Sequence, residues 1–236
     1  MSAPVAGPAP VLVACAHGTR SAAGRAVVRA LVDEVRRLRP GLPVAEAFVD
    51  VQEPAVGDVV AAVAAGAPDG PVAAVVTPLL LSTGVHVRHD IGAAVAGRRA
   101  AAAEPLGPDD RLAGILVERL TEAGATADDA VVLAAAGSSD PAAVVAVDAV
   151  LAALRARWPG PVTVGYGAAA APDVATAVVA ARATGAPRVV VASYLLAPGH
   201  FHGALARAGA DVVTEPLGAH PELARIVLDR YDAARG

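Results

Sequence analysis

The stretch EPLGPDDRLAGILVERL, starting at Glu104, returns as EPLGAHPELARIVLDRY at Glu215, with identical residues at eight of seventeen aligned positions. Biased composition alone produces about two such matches, so the chain reads as an internal duplication whose two copies fold alike. Apolar, β-branched runs in the first copy, at 10–16, 43–50, 71–80 and 100–104, predict strands. Helical patterns lie between and after them, at 21–38, 53–66, 86–98 and 109–123. From Ser21 to Leu38, for example, Val27, Val28, Leu31, Val32, Val35 and Leu38 recur at three- and four-residue spacings, with Arg and Glu on the other face. The second copy offers strands at 130–137, 161–167, 187–196 and 210–215. Strands that are apolar almost throughout and alternate with helices predict a parallel sheet covered on both faces. The expectation is an α/β protein of two duplicated, parallel, four-stranded units flanked by helices. The units are set at 1–125 and 126–236, joined by the polar, small-residue stretch TEAGATADD (121–129), read as a hinge.

Composition removes several classes of function. The net charge of −4 provides no electrostatic footprint for nucleic acid or an anionic membrane. No apolar run reaches the roughly 18 residues of a membrane span, and the first ten residues lack the basic start and apolar core of a signal peptide. A soluble, cytoplasmic protein is expected. The single cysteine, Cys15, cannot form a disulfide within the chain, a structural zinc site or an iron–sulfur cluster. Any metal must therefore be held by histidine and carboxylate. All 19 basic residues are arginine, a sign of GC-rich coding, so arginine at any one position says little by itself.

His17 follows the first strand where the chain turns toward a helix, Asp50 ends the second strand, and His86 lies just past the third. In a parallel sheet these positions gather at the carboxyl edge, where ligands of such folds bind. Two imidazoles and a carboxylate suit a first-row divalent metal, and a neutral imidazole also accepts a proton near pH 7. The duplication supplies an internal control. His17-Gly18 corresponds to Ala136-Gly137, Asp50 falls opposite Ala168, and aligning Gly84 with Gly199 puts Phe201 opposite His86. All three candidates are missing from the second copy, which suggests that they act together in the first. In the second, His200 and His202 of GHFH flank the matching position and either form a site of their own or line the cleft from across it.

The motifs AHGTR after the first strand, EAFVD on the second and PLLLSTGVHVRHDI at the third, in this order and spacing, resemble the sirohydrochlorin chelatase family of class II tetrapyrrole chelatases. The resemblance spans essentially the whole chain. It implies a chelatase-like fold with two four-stranded units facing each other across a cleft, and an enzyme that inserts Fe²⁺ (sirohaem) or Co²⁺ (a cobalamin precursor) into a tetrapyrrole. Iron is slightly favoured. It places the metal-handling, catalytic histidines at His17 and His86 and the acidic role at Asp50, with Glu46 on the same strand as the alternative acid. The metal is a substrate, and no permanently bound cofactor is expected. Arg20, Ser82, Thr83, Arg88, His200 and His202 are the expected substrate-binding residues, the two arginines as donors to the carboxylates of the macrocycle. A monomer, or at most a weak homodimer, is expected, because duplication already supplies both halves of the cleft.

Each residue also has a plainer reading. Asp50 could cap the following helix, His89 reads as a surface helix residue, His220 as a helix start, Cys15 as inert core, and Trp158 as packing at a helix end. Two other functions remain open at this point. A histidine phosphatase also carries His-Gly after a strand, but Ala16 stands where its arginine belongs. A non-catalytic metal or tetrapyrrole carrier would use the same fold without needing a proton acceptor.

Overall fold

The computed structural model describes residues 9–67, 72–82 and 84–236, apart from the side chains of Val85 and His86. Strands β1 (Val11–Ala16), β2 (Val44–Phe48), β3 (Ala74–Pro78) and β4 (Ala100–Ala102) form a parallel sheet in the order β2-β1-β3-β4. Strands β5 (Ala130–Ala135), β6 (Val162–Tyr166), β7 (Val189–Tyr194) and β8 (Val212–Val213) form a second in the matching order β6-β5-β7-β8. The helices α1 (Ala22–Leu38), α2 (Val56–Gly66), α3 (Val85–Val95), α4 (Asp110–Glu122), α5 (Pro141–Arg155), α6 (Val174–Arg182), α7 (His200–Leu205) and α8 (Pro221–Ala234) follow the strands one for one. The edge strands β4 and β8, of three and two residues, are shorter than their apolar runs predict, whereas the opposite edges β2 and β6 keep five residues each.

Side chains alternate across each sheet. Leu12, Ala14 and Ala16 of β1 and Val131, Leu133 and Ala135 of β5 enter one central core. Val13 and Cys15 pack outward beneath α2 and α3, and Val132 and Ala134 outward beneath α6. Two sheets that each turn one apolar face to a common core bury more surface together than either could alone.

The central layer is interlaced. Helix α4 follows β4 of the first sheet yet packs on β7 and α5, while α8 follows β8 of the second sheet yet packs on β3 and α1; α4 and α8 also touch. The duplicated EPLG stretch thus forms the interlock. Arg119 of α4 donates to the carbonyls of Pro216 and Leu217, and Arg230 of α8 donates to those of Pro105 and Leu106. Each turn is held by the arginine of the other copy's helix, so the matching letters record one contact made twice.

The segment read as a hinge is instead pinned. Asp129, 1% exposed, accepts from Thr126 and makes a two-pronged pair with Arg188, whose Nη2 also reaches the Gly124 carbonyl at 2.7 Å. The Arg188 guanidinium holds the Asp129 carboxyl down to about 2. A charge buried with this many partners resists bending. His220 caps α8 through Nδ1, which accepts from the Glu222 N–H. Cys15 is fully buried, and burial pushes its thiol up to about 12, which makes it inert. Among the described residues no helix is long and apolar enough to cross a membrane.

Candidate active site

In both sheets the strand order reverses beside the first strand of the copy, so the loops after β1 and β3, and those after β5 and β7, diverge into a crevice at the carboxyl edge. The two crevices meet. An ideal Cβ on Gly24, in the first turn of α1, would lie 2.7 Å from the Pro198 carbonyl oxygen, and one on Gly84 would lie 3.3 Å from Ser138 Oγ. Close approach at these two points encloses a cavity of about 380 Å³ between the copies.

The loop carrying His17 is built by its neighbours. Gly18 adopts φ +98°, and its Cα sits so close to the Asp50 carbonyl oxygen that a Cβ would meet it at 2.0 Å. No side chain fits there. The Asp50 N–H donates to the His17 carbonyl at 3.0 Å, and the Thr19 N–H donates to Gln52 Oε1 at 2.8 Å. Ser21 caps α1 by accepting from Gly24. This turn presents the exposed His17 ring at the cavity wall beside Thr19 and Gln52. Across the sheet, Leu79, Leu80, Leu81 and Ser82 leave β3, and His86 is the second residue of α3.

The second copy lines the other side with Tyr166, Tyr194, Leu195, Leu196, His200, Phe201 and His202. Tyr194 is buried and its hydroxyl donates to the Leu81 carbonyl at 3.4 Å; burial pushes its pKa up, so the ring serves as a neutral wall. His202 Nε2 lies 3.1 Å from the Thr214 carbonyl oxygen. A carbonyl can accept but not donate, so that nitrogen carries the proton.

Of the residues singled out from sequence, His17, Ser82, His200 and His202 line the cavity. Thr83 and the His86 side chain lie outside the described residues. The other expected residues stand off this wall. Glu46 faces Arg36 of α1 at 3.7 Å, away from the cavity, because its position on β2 points toward the helix that covers that face. Arg88 is committed to Asp140, the residue that caps α5, and so forms a bridge between the copies rather than a free donor for substrate. Arg20 is exposed and off the cavity wall. Asp50 is also exposed and off the wall; its carboxylate accepts from the Val51 N–H at 2.7 Å, and the cap position of α2 falls to Ala55. Among the described residues no three His, Cys, Asp or Glu side chains converge as a metal cage would require. The sequence reading missed Gln52, Tyr166, Tyr194 and Phe201 as wall residues. The two tyrosines end strands whose neighbours in the sheet were legible, and Phe201 had been aligned with His86 without a role.

Comparison with known proteins agrees with this architecture. The model of the CbiX family matches residues 11–123 and again 130–234. A sirohydrochlorin ferrochelatase of Priestia megaterium is 33% identical in an alignment of 134 positions, and the match covers 52% of this chain and 50% of that protein. The match thus spans half the length of this curated relative. Among solved structures, SirB from Bacillus subtilis with Fe³⁺ superposes with a TM-score of 0.78 at 22% identity, covering 94% of both chains. The cobalt complex of the sirohydrochlorin chelatase SirB from Bacillus subtilis subspecies spizizenii gives 0.76 at 21% identity, over 95% of this chain and 94% of that one. CbiX, described as the terminal enzyme for biosynthesis of siroheme in denitrifying bacteria, gives 0.65 at 21% identity, over 95% and 98%.

Proposed function

Because this chain belongs to the CbiX family, we propose that it is a chelatase that inserts a divalent first-row metal into sirohydrochlorin. The observation that carries the reading is the apolar cavity between the copies, with the His17 turn after β1 and residues 79–82 after β3 on its wall. The repeat units are taken as 1–125 and 126–236, and the first supplies the metal-handling side.

The reaction exchanges one metal dication for two pyrrole N–H protons, so the site must strip water from the metal and accept protons. His17 and His86 supply the two imidazoles. An imidazole is soft enough for Fe²⁺ or Co²⁺ and basic enough to take a pyrrole proton near neutral pH. The metal is a substrate that leaves in the product, so two side chains and the ring nitrogens suffice where a resident metal needs a full cage. Iron is our preferred substrate. The ring of the macrocycle lies against the leucine-rich walls, and Thr19, Gln52 and Ser82 are polar groups on the first copy's side of the cavity. One chain supplies both walls, so we expect a monomer, which light scattering checks.

The test is anaerobic absorbance of the protein with sirohydrochlorin and Fe²⁺ or Co²⁺. Conversion to the metallated spectrum, accelerated by the wild type and lost in His17→Ala and His86→Ala, supports the reading. Binding without acceleration means a carrier, and activity that survives both substitutions moves the chemistry to His200 and His202.

A further inference from the structure

The two walls of the cavity differ in chemistry. The chain has six aromatic side chains, one Trp, three Tyr and two Phe, and three of them, Tyr166, Tyr194 and Phe201, line this cavity from the second copy. Among the described residues the first copy contributes no aromatic ring apart from histidine to the same wall. Tyr166 and Tyr194 are buried and serve as floor, whereas Phe201 is 40% exposed, an uncommon setting for a phenyl ring in a chain this poor in aromatics.

Its position is held from both sides. Gly167, at the end of β6, leaves room for the ring: a Cβ there would lie 2.9 Å from Phe201 Cδ1 and 3.4 Å from Cε1. The His200 ring meets it edge-on, with centroids 5.8 Å apart and planes at 73°. The backbone equivalence is also fixed. Leu106 donates to Leu80 and Leu217 to Leu195, and α3 and α7 start after Gly84 and Gly199, so Phe201 occupies the second-copy place of His86.

We propose that Phe201 is the platform on which the flat face of the tetrapyrrole stacks, so that the duplicated helix start grips the metal in one copy and the ring in the other. An apolar, rigid, partly exposed ring recognises a planar π-system by offset stacking and buries its own exposed surface on binding. The proposal rests on the chelatase reading and adds the division of labour between the copies.

Titration of metal-free sirohydrochlorin, followed by its absorbance and fluorescence, tests it, together with separate titration of Co²⁺ alone. Phe201→Ala should bind the macrocycle roughly tenfold more weakly, Phe201→Trp should bind it as well as the wild type, and Phe201→Leu, equally apolar but without a π face, should fall between. Co²⁺ binding should be unchanged in all three and weakened in His17→Ala. The platform is overturned if Phe201→Ala or Phe201→Leu binds sirohydrochlorin as tightly as the wild type, or if Phe201→Ala loses Co²⁺ in the same proportion. If the wild type binds no sirohydrochlorin, the chelatase reading itself fails, a result distinct from equal binding by wild type and variant.

Discussion

The turns after β1 and β5 are the same piece of backbone with different chemistry. Gly18 and Gly137 both have positive φ, +98° and +85°. A Cβ on either would strike a carbonyl oxygen, of Asp50 at 2.0 Å or of Ala168 at 1.9 Å. Beyond those carbonyls the chains match again: Gln52 N–H donates to Asp50 and Ala170 N–H to Ala168, and Val51 and Ala169 both take positive φ. Yet the residue before the glycine is His17 in one turn and Ala136 in the other. The second turn stands without imidazole or carboxylate, so neither is needed to form the first. What the fold demands of both copies is the glycine and the apposed carbonyl, and His17 is free to serve chemistry.

Substitutions can break this comparison. His17→Ala should lower the metal-insertion rate by about a hundredfold or more, the range of a lost positioned base, while leaving thermal stability unchanged, as it does in a turn that already exists with alanine; a drop in melting temperature would give the ring a structural duty. Gly18→Ala and Gly137→Ala should each cost about 3 kcal/mol from strain and overlap, or a fall of roughly 6–12 °C in Tm. Equal losses are the prediction, and a Gly137→Ala protein as stable as the wild type would show that the turns are not equivalent. Arg88→Ala should cost about 1 kcal/mol, because the arginine is half exposed and Asp140 keeps its bond to the Ala142 N–H; denaturant unfolding reads it. Asp50→Asn, whose backbone role Ala168 fills in the other copy, should change the metal-insertion rate by less than about twofold, against more than tenfold for a side chain that relays protons.

The junction between the copies makes a pH prediction. Arg188 depresses the Asp129 carboxyl to about 2, below the ordinary value of roughly 3.9. The folded state therefore favours the ionised form, and the stabilisation is complete above about pH 4 and disappears as pH falls through 2. In acid titrations of Tm, Asp129→Asn should be less stable than the wild type at neutral pH, and the two curves should converge toward pH 2.

The order of strands and helices was legible because periodicity is local: Val11–Ala16 and Ala130–Ala135 read as buried strands from their own letters. The candidate histidines were legible for a different reason, since parallel topology sends the loop after every strand to one edge. Side-chain direction was not. Glu46 and Arg88 looked available from sequence, but which partner a long charged side chain meets depends on residues distant in the chain, Arg36 across a helix and Asp140 across the copies.

Sequence alone determined that the chain is two copies of one α/β unit and that the first copy carries imidazoles at positions where the second has Ala136 and Phe201; that glycine must follow His17 came from the φ of Gly18 and the carbonyl packed against it. Only the tertiary structure decided that α4 and α8 change sides, that the 121–129 segment is locked, and that the second copy turns its aromatics into the cavity. The physical reason is range. Periodicity and turn chemistry act over a few residues, whereas these side chains find partners far away in the chain: Arg119 across the two copies, Asp129 and Phe201 across neighbouring strands and loops of the second sheet.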